Sequence, residues 1–343
     1  MAIILIANPT ADSGAAAETI AKARQLLIDR GLRHSFVPTE PAGGTVKRVR
    51  KAVDEEGARL LIYLGGDGTF AEVARGILAA EKGREATLGM LPSGTANDQG
   101  KSFGLEAGVD ALADNVAVIA RGKTRSVDEA RLERLDERGR PVRRVDFFDS
   151  ASIGFSAAVL RQRNTDRERV AEIPILGELY RGHAIYTGAA LRCFAESYFE
   201  PTKLDVELET GGEAHRFDGL LDLVISNTRV WASSFVLHRQ ANAEDGKLEV
   251  APIAGRRDLT SKLLSTLRRG LFDEQDLEQL GLRHSEVLQV GEALIRVRPR
   301  GEAPALQADG EELDWESTSG ELSYRLRVLP EKLRIVADKG ELT

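Results

Sequence analysis

The first third of the chain alternates between short apolar runs and amphipathic segments. Residues 2–7 (AIILIA), 59–66 (RLLIYLGG) and 86–91 (ATLGML) are almost continuously apolar, which is typical of strands that are buried on both faces. The segments between these runs carry apolar residues at helical spacing and end near a glycine, which indicates helices. Strands that alternate with helices in this way predict a parallel, Rossmann-like sheet covered by helices. We expect this α/β domain over residues 1–123.

Beyond residue 123 the pattern changes to an alternation of apolar and polar residues. Segments such as KLDVELET (203–210) and ELSYRLRVL (321–329) have a period of two, and glycine-containing turns separate them. This pattern predicts an antiparallel sandwich or barrel over residues 124–326. One stretch, at about 165–197, has helical spacing instead and is expected to form a helical insertion.

Composition narrows the class of protein. A chain of 343 residues with 42% hydrophobic residues is able to bury a sizeable core, and two domains are expected for this length. The net charge of −7 argues against a nucleic-acid-binding protein. The single cysteine, Cys193, cannot form an internal disulfide, which indicates a reducing compartment. No apolar run approaches the roughly 20 residues of a membrane span. We therefore expect any contact with lipid to be peripheral, at the surface of the membrane.

The apolar run at 59–64 leads directly into the sequence GGDGTF, and this junction has the features of an anion site. Gly65, Gly66 and Gly68 remove side chains where the backbone has to turn sharply, and they let a phosphate approach the backbone N–H groups. Thr69 and the glutamate three residues later form a T-x-x-E pattern, which predicts a capping box and a helix that begins there. The free N–H groups at the beginning of a helix attract anions.

Asp67 is the unusual residue of this loop. A carboxylate inside a cluster of N–H groups repels a phosphate unless a cation lies between them, and Mg²⁺ binds both carboxylate and phosphate oxygens. The alternative is a tight turn in which the aspartate accepts local hydrogen bonds. The sequence therefore predicts either a Mg²⁺–phosphate site or a structural turn at Asp67.

Two further strand ends lead into polar, glycine-containing loops. NPTADSG (8–14) comes directly after the apolar run at 2–7, and PSGTAND (92–98) comes directly after the run at 86–91. Three loops of this kind predict one phosphate-binding rim, although PSGTAND alone is also typical of a polar loop with a helix cap. The GKS that comes next is not the end of a Walker A motif, because five residues separate Gly94 from Gly100 where a P-loop has four.

Together these motifs resemble the diacylglycerol kinase catalytic family, which contains soluble bacterial lipid kinases and their sphingosine and ceramide kinase relatives. GGDGT followed by PSGTAND carries the resemblance, which continues in FFDSASIGFSA (147–157), ANAEDGKLEV (241–250), LQADGEEL (306–313) and RVLPEKLRIV (327–336). The related NAD kinases and phosphofructokinases share the GGDG core but differ in the residues downstream of it. The resemblance implies an NAD kinase/diacylglycerol kinase-like fold, in which an α/β nucleotide-binding domain precedes a β-sandwich and the C-terminal segment 327–343 returns to the first domain.

The resemblance also implies ATP and Mg²⁺ as ligands. The residues that would contact ATP come from the three loops: Asn8, Gly65, Gly66, Asp67, Gly68, Thr69, Ser93, Gly94, Thr95 and Asn97. The catalytic Mg²⁺ would be held, directly or through water, by Asp67, Asp98 and Asp128. A second, structural Mg²⁺ is implied at the side chains of Asn242 and Asp245 and the carbonyl of Lys247. The Asp-Gly in that segment is equally typical of a plain hairpin.

Asp67 and Glu311 are the catalytic residues that the resemblance implies. The acceptor hydroxyl has to lose its proton as it attacks, and Glu311 occupies the family position of the carboxylate base. Asp309 and Glu312 are the nearby alternatives. The Asp-Gly before Glu311 is also typical of a type I′ hairpin turn, so the segment has a structural interpretation as well.

The implied function is a Mg-ATP-dependent lipid kinase that phosphorylates the hydroxyl of diacylglycerol or a related lipid alcohol. The alternatives are a kinase for a sphingoid base or a non-lipid alcohol, and a non-catalytic nucleotide- or lipid-binding regulator. The basic, apolar-edged region around residues 161–197 suggests peripheral contact with the cytoplasmic, inner face of a membrane, although an ordinary amphipathic helix has the same pattern. The sequence leaves open whether the chain forms a homodimer.

Overall fold

A computed structural model of the chain describes residues 2–11, 15–158, 160–161, 202–231, 235–236, 240–255, 287–315 and 320–338. The predicted helical insertion at about 165–197 lies outside these ranges, and so does Cys193.

The apolar runs of the first third form the predicted parallel sheet. Its strands are β1 (Ala2–Ala7), β2 (Ser35–Pro38), β3 (Ala58–Gly65) and β4 (Thr87–Pro92). They lie in the order β2-β1-β3-β4 and are all parallel. Ala7 lies beside Leu64, and Gly65 lies beside Pro92, so that β1, β3 and β4 end together at one edge of the sheet.

Helices cover both faces of this sheet, as the alternating pattern predicts. The helices of this α/β part of the chain are α1 (Ala15–Asp29), α2 (Gly44–Asp54), α3 (Asp67–Ala79), α4 (Asp98–Ser102) and α5 (Leu112–Arg121), with a short 3₁₀ helix at Gly83–Glu85. On one face, Leu27 of α1 and Ile119 of α5 pack in one cluster with Ile62. On the other face, Phe70 of α3 packs edge-to-face on Tyr63 at a ring-centroid distance of 5.7 Å. Helix burial on both sides explains why β3 is apolar along almost its whole length.

The regular structure in the rest of the described chain is β, apart from a helical segment at residues 155–158 and 160–161. Its strands are β5 (Thr124–Leu135), β6 (Pro141–Phe147), β7 (Ser150–Gly154), β8 (Leu204–Thr210), β9 (Glu213–Leu220), β10 (Asp222–Ser226), β11 (Val230–Trp231), β12 (Phe235–Val236), β13 (Leu248–Ile253), β14 (Leu288–Val290), β15 (Glu292–Pro299), β16 (Leu306–Ala308), β17 (Glu311–Glu312) and β18 (Leu322–Val336).

Two sheets pack face to face in this part of the chain, which confirms the antiparallel sandwich. One sheet has the order β14-β13-β10-β7-β16-β17. The other continues from the parallel strands through β18 to β15, β8 and β9, while β5 pairs with β18 and β6. Leu132, Ile295 and Leu326 of this sheet share one buried cluster with Ile153 and Ile225 of the first. Alternate residues of each strand fill the layer between the sheets, which produces the period of two.

The long strand β18 belongs to both kinds of sheet. Leu326 lies between Ala293 of β15 and Leu132 of β5 in antiparallel pairing. Further along, Ile335 pairs in parallel with Leu88 of β4. The sheet type changes from parallel to antiparallel where β5 begins, next to the proposed boundary at residue 123. The division into separate domains over 1–123, with 327–343, and 124–326 stays a prediction.

Candidate active site

Three loops meet at the edge where the parallel strands end. Asn8 follows β1, Gly66 follows β3 and Ser93 follows β4, and the register of the strands makes these positions neighbours. Backbone hydrogen bonds join the second and third loops, because the N–H groups of Ser93 and Gly94 both donate to the carbonyl of Gly65, at 2.8 and 3.2 Å. The structure therefore brings the described parts of the three predicted loops together as one rim.

Two glycines let the loops after β3 and β4 touch through their backbones. A Cβ atom on Gly94 would lie 2.4 Å from the Cα atom of Gly66 and 3.0 Å from its backbone nitrogen. A Cβ atom on Gly66 would lie 3.3 Å from the Cα atom of Gly94. Backbone cannot yield as a flexible side chain does, so this contact requires glycine, above all at position 94.

Asn97 fixes the shape of the loop after β4. Its Oδ1 accepts the backbone N–H of Gly94 at 2.8 Å, and its Nδ2 donates to the carbonyl of Gly94 at 2.6 Å. Asn97 has φ 55°, in the left-handed region, and it directly precedes α4. Its side chain is thus engaged within the loop that the sequence assigns to ATP, where it holds the polar turn in place.

The helix after GGDGT begins earlier than the capping box predicts. Gly66 occupies the N-cap position, no side chain caps the helix, and α3 starts at Asp67. The prediction that Thr69 caps the helix is therefore wrong, because Thr69 already lies inside the first turn. Its hydroxyl instead occupies the space beside Gly65, where a Cβ atom would lie 2.6 Å from Thr69 Oγ1.

Asp67 is the first residue of α3 and is oriented by the loop after β4. The backbone N–H of Gln99 donates to Asp67 Oδ1 at 3.3 Å. Burial raises the pKa of Asp67, while backbone N–H groups of Gln99 and Asn97 and the charge of Lys101 act in the opposite direction. The carboxylate thus stands among N–H donors and close to a lysine, which oppose the effect of burial on its pKa without cancelling it.

Several of the predicted ATP-contacting residues have exposed positions on the rim. Gly68 and Thr95 are exposed beside Asp67 and Gly94, respectively. Asn8 is exposed as well, and its Oδ1 accepts the backbone N–H and the hydroxyl of Thr10, at 3.0 and 2.8 Å. The open side of the rim therefore carries Asn8, Gly68 and Thr95.

The hairpin of β16 and β17 carries Glu311 to the beginning of α3. Asp309 and Gly310 form its two-residue turn with φ angles of 48° and 74°, as a type I′ turn requires. The side chain of Glu311 is 52% exposed, and its Oε2 lies 3.5 Å from Nη1 of Arg75 in α3. A Cβ atom on Gly68 would lie 3.9 Å from Glu311 Oε1. The structural interpretation as a tight turn is thus confirmed, and the turn brings the Glu311 carboxylate close to the glycine loop, while its role as the base stays a prediction.

Sequence reasoning missed Asp149, which is buried close to this site. Asp149 accepts the hydroxyl of Thr228, and its own backbone N–H donates to Asp309 Oδ1 at 2.8 Å. Burial raises the pKa of Asp149 well above its usual range, and the charges of Asp98 and Asp309 add to this effect. The available signal was an acid inside an otherwise apolar stretch, FFDSASIG, which is typical of a buried polar group with a partner.

Asp309 joins the same group of carboxylates rather than serving as a free alternative to Glu311. It accepts the backbone N–H of Phe148 at 3.1 Å as well as that of Asp149. Burial raises the pKa of Asp309 to about 6, although these N–H groups and the charge of Arg75 oppose the shift. The buried carboxylate of Asp309 therefore stabilises the hairpin turn, whereas the carboxylate of Glu311 is open to solvent.

The structure places Asp128 with a different group of residues. Its two oxygens accept the backbone N–H groups of Gly246 and Glu331, each at 2.8 Å. Burial raises the pKa of Asp128, and the charges of Asp245 and Glu331 raise it further. Among the described contacts it does not join Asp67 and Asp98, and its part in holding the catalytic Mg²⁺, directly or through water, stays a prediction.

The residues predicted for a second Mg²⁺ form a hydrogen-bonded turn. Oδ1 of Asn242 accepts the N–H of Glu244 at 3.2 Å, and Oδ1 of Asp245 accepts the N–H of Lys247 at 3.0 Å. The charge of Glu244 is paired with Arg125. These side-chain oxygens already have donors, and the turn is explained without an ion. The residues therefore do not offer a converging set of free ligands, and the structural Mg²⁺ stays a prediction.

The surroundings of Asp67 do fit a Mg²⁺ ion that also binds phosphate. The charge of Asp67 raises the pKa of Asp149 and that of Asp309, so three carboxylates lie close enough to repel one another. Within the described residues, no three acidic, histidine or cysteine side chains converge on a ready-made metal cluster. Mg²⁺ usually takes one or two carboxylates and completes its shell with water and phosphate oxygens. Asp67 is the residue that would hold it here.

Comparisons with known proteins agree with this fold. The chain matches the diacylglycerol kinase catalytic domain over residues 2–132 and the YegS C-terminal NAD kinase beta sandwich-like domain over residues 150–337. A protein of Pseudomonas syringae pv. tomato, described as "Probable lipid kinase YegS-like", is 30% identical over 234 residues, which cover 68% of this chain and 66% of that protein. A diacylglycerol kinase of Staphylococcus epidermidis is 35% identical over 124 residues, or 36% of this chain and 37% of that protein.

A solved structure has the same architecture. A diacylglycerol kinase from Bacillus anthracis superposes with a TM-score of 0.66 at 17% sequence identity, over 98% of this chain and 97% of that chain. At this level of identity the likeness concerns the fold alone. The match to the first curated relatives spans 66% of their length, just under two thirds.

Proposed function

The chain belongs to the diacylglycerol kinase catalytic-domain family, and we propose that it is a Mg-ATP-dependent lipid kinase. Membership of the family supports a kinase whose acceptor is an alcohol of lipid type. The finer proposal is that ATP donates the phosphoryl group and that diacylglycerol is the acceptor. The alternative acceptors are another lipid alcohol, such as a sphingoid base, and a non-lipid alcohol.

One relationship carries the proposal: the Glu311 carboxylate lies at the beginning of the helix that Asp67 opens. A carboxylate that is 52% exposed and faces Gly68 is accessible to a substrate hydroxyl. Asp67 is the first residue of that helix, and the N-terminus of a helix favours anions such as phosphate. A base and a phosphate-binding rim at one place are the two elements that phosphoryl transfer to an alcohol requires.

The proposed reaction is consistent with these positions. Glu311 accepts the proton of the acceptor hydroxyl, whose oxygen forms a bond to the γ-phosphorus of ATP as the bond to the β-phosphate oxygen breaks and ADP leaves. The N–H groups of the rim and the charge of Lys101 offset the negative charge of the phosphates. Bound Mg²⁺, held by Asp67, would supply further charge neutralisation on the transferring group. The buried Asp309 keeps the turn before Glu311 rigid, which limits the positions that the base can take.

We also propose that the protein acts at the inner face of the cytoplasmic membrane, where a diacylglycerol acceptor resides. No helix among the described residues is both long and apolar enough to cross a bilayer. The hairpin of β5 and β6 offers one surface for peripheral contact, because Val142 is 54% exposed and Arg143 and Arg144 beside it are exposed too. Exposed arginines next to an apolar side chain suit an anionic lipid surface. The arginine-rich segment 161–169, apart from its first residue, lies outside the described residues.

The test is a phosphoryl-transfer screen with the purified full chain. Radiolabelled ATP and Mg²⁺ are offered with detergent-solubilised diacylglycerol, sphingosine or ceramide, or with glycerol. We expect transfer to diacylglycerol and a loss of about 100-fold or more in Glu311→Gln. Glu312→Gln is the matched control, since Glu312 is the adjacent carboxylate and pairs with Arg161.

The results separate the alternatives. Transfer to sphingosine or glycerol alone replaces the acceptor but keeps the kinase. ATP binding without transfer to any acceptor favours a nucleotide-binding regulator, and absence of ATP binding in the presence of Mg²⁺ overturns the proposal as a whole. Equal rates for Glu311→Gln and Glu312→Gln would remove Glu311 from the role of base.

A further inference from the structure

Helix α3 carries an arginine, Arg75, about two turns after the glycine loop. Gly68 and Arg75 are seven residues apart, so they lie on the same side of the helix about two turns from each other. The carboxylate of Glu311 lies along this side, with Oε1 near Gly68 and Oε2 near Arg75. The sequence motifs end before Arg75, and the proposed reaction gives it no role.

The guanidinium of Arg75 lies among the parts of the structure that hold Glu311 in place. Nη1 lies 3.5 Å from Glu311 Oε2, and Nη2 donates to the backbone carbonyl of Asp146 at 3.5 Å. Its charge also acts on Asp309, the buried residue of the hairpin turn. Asp146 lies two residues before Phe148, whose backbone N–H Asp309 accepts. Arg75 therefore links the nucleotide-binding helix to the turn that carries the base.

Glu311 needs such a link because its own strand restrains it little. β17 contains only Glu311 and Glu312, and the Glu311 side chain is 52% exposed. An exposed glutamate has several rotamers, and most of them would point the carboxylate away from Gly68. Arg75 has a side chain that is only 27% exposed, so it is the better anchored partner of the pair. Gly68 leaves the space above the helix open for the carboxylate.

We propose that Arg75 is a positioning residue of the kinase reaction: through its contact with Glu311 Oε2 it holds the base over the glycine loop, with Oε1 free to accept the hydroxyl proton. This inference rests on the proposed function and deepens it. Arg75 itself touches neither the acceptor nor the reacting phosphorus. Its contribution therefore disappears when Glu311 cannot act as a base.

The experiment is a double-mutant cycle in the phosphoryl-transfer assay. It compares wild type with Arg75→Met, Arg75→Lys, Glu311→Gln and the double variant Arg75→Met/Glu311→Gln. We expect Arg75→Met to lower kcat by about 10- to 100-fold, with KM for ATP changed by less than about twofold. Arg75→Lys keeps the positive charge and recovers most of the lost kcat. The double variant is no slower than Glu311→Gln alone, because both changes remove the same contribution.

The control is Arg300→Met, which removes an arginine paired with Asp205 at 2.6 Å on the sandwich, and it is expected to leave kcat unchanged.

The inference is overturned if Arg75→Met keeps the wild-type kcat. It is also overturned if Arg75→Met raises KM for ATP, or slows the Glu311→Gln variant further, since either result would place Arg75 on the phosphates. If Arg75→Met does not fold, the same cycle with Arg75→Lys and Arg75→Gln decides. A wild-type chain that transfers phosphate to no acceptor overturns the proposed function and this inference together, whereas an active wild type with an unaffected Arg75→Met overturns the inference alone.

Discussion

The backbone N–H of Gln99 donates to Oδ1 of Asp67, at 3.3 Å, across two loops that are 32 residues apart in sequence. The bond joins the beginning of α4 to the beginning of α3, so the loops that precede these two helices keep a fixed relation to each other. The orientation of the Asp67 carboxylate is thus set by a neighbouring loop as well as by its own helix. A ligand of Asp67 meets a preformed arrangement, which lowers the entropy cost of binding.

Asp67→Asn is expected to abolish phosphoryl transfer while the protein stays folded. The amide keeps an oxygen for the N–H of Gln99 but has no charge with which to bind Mg²⁺. Since burial raises the pKa of Asp67, removing the charge also removes an unfavourable charge from the folded state. We expect a loss in kcat of more than about 100-fold. Initial rates and thermal melting measure the two effects, and weaker ATP binding in calorimetry with Mg²⁺ should accompany them.

Asp114→Asn is the matched control for this change. Asp114 is an exposed aspartate in the first turn of α5, a helix that packs on the same sheet. The Asp114→Asn substitution should leave both the rate and the melting temperature close to wild type. Similar rates for Asp67→Asn and Asp114→Asn would show that Asp67 has no part in catalysis.

Gly94→Ala is expected to disrupt the contact between the two loops. The new Cβ atom would lie 2.4 Å from the Cα atom of Gly66, and both atoms belong to or adjoin the backbone, so the loops have to separate. We expect a loss of about 1–3 kcal/mol in the free energy of unfolding, together with weaker ATP binding. Gly255→Ala serves as the control, because no described atom lies within 4 Å of the added Cβ. Denaturant unfolding and calorimetry test both parts, and equal stability of the two variants would contradict the loop contact.

Asp128→Asn should reduce stability more than it reduces activity. Both oxygens of Asp128 accept backbone N–H groups, from Gly246 and Glu331, and the amide would turn an NH₂ group toward one of these donors. An unmet hydrogen bond of this kind costs about 1–3 kcal/mol. We expect a lower midpoint of denaturant unfolding and a kcat well above that of Asp67→Asn. The opposite pattern, with normal stability and lost activity, would return Asp128 to the catalytic Mg²⁺ site.

The buried Asp222 is expected to make the protein less stable as the pH rises. Burial raises the pKa of Asp222 from 3.8 to about 7, and its Oδ1 has no hydrogen-bond donor among the described residues. The folded state therefore holds a proton that the unfolded chain has released, so the free energy of unfolding falls between about pH 4 and about pH 7 and levels off above that range. The full shift corresponds to about 4 kcal/mol.

Asp222→Asn tests this pH dependence. The amide oxygen can still accept the N–H of Ser156, which Asp222 Oδ2 accepts at 2.9 Å. The variant should equal or exceed wild type in stability at pH 8 and should show a smaller slope between pH 4 and pH 7. Part of the slope should remain, because burial also raises the pKa of Glu249 to about 7. Unfolding curves at a series of pH values provide the measurement, and a slope equal to that of wild type would exclude Asp222 as its source.

The sequence predicted the parts of the fold that depend on local patterns. A strand covered by helices on both faces must be apolar throughout, so the run at 59–64 indicated β3 and its place in a parallel sheet. The Asp-Gly turn before Glu311 was visible for a similar reason, since two successive positive φ angles favour this pair. The start of α3 was less visible, because a glycine N-cap leaves no side-chain signal and Thr69 offered a stronger one.

Residues whose role depends on distant partners could not be found in this way. Asp149 owes its raised pKa to burial and to Asp98 and Asp309, which lie far away along the chain. Arg75 looks like any helical arginine until the hairpin of Glu311 is placed against α3. Asp128 has the residue type of a metal ligand, and its hydrogen bond with the N–H of Glu331, 203 residues later, leaves no local sign in the sequence.

The strand β18 has a consequence for the synthesis of the protein. Ile335 completes the parallel sheet next to Leu88, and Leu326 closes the other half of the same sheet against Leu132. A nascent chain therefore cannot finish either half of this sheet until β18 has left the ribosome. Pairing over such long separations is slow, and in the meantime the edge of β4 stays open to other chains. Chaperones that shield an unfinished sheet are expected to raise the yield of this protein in cells.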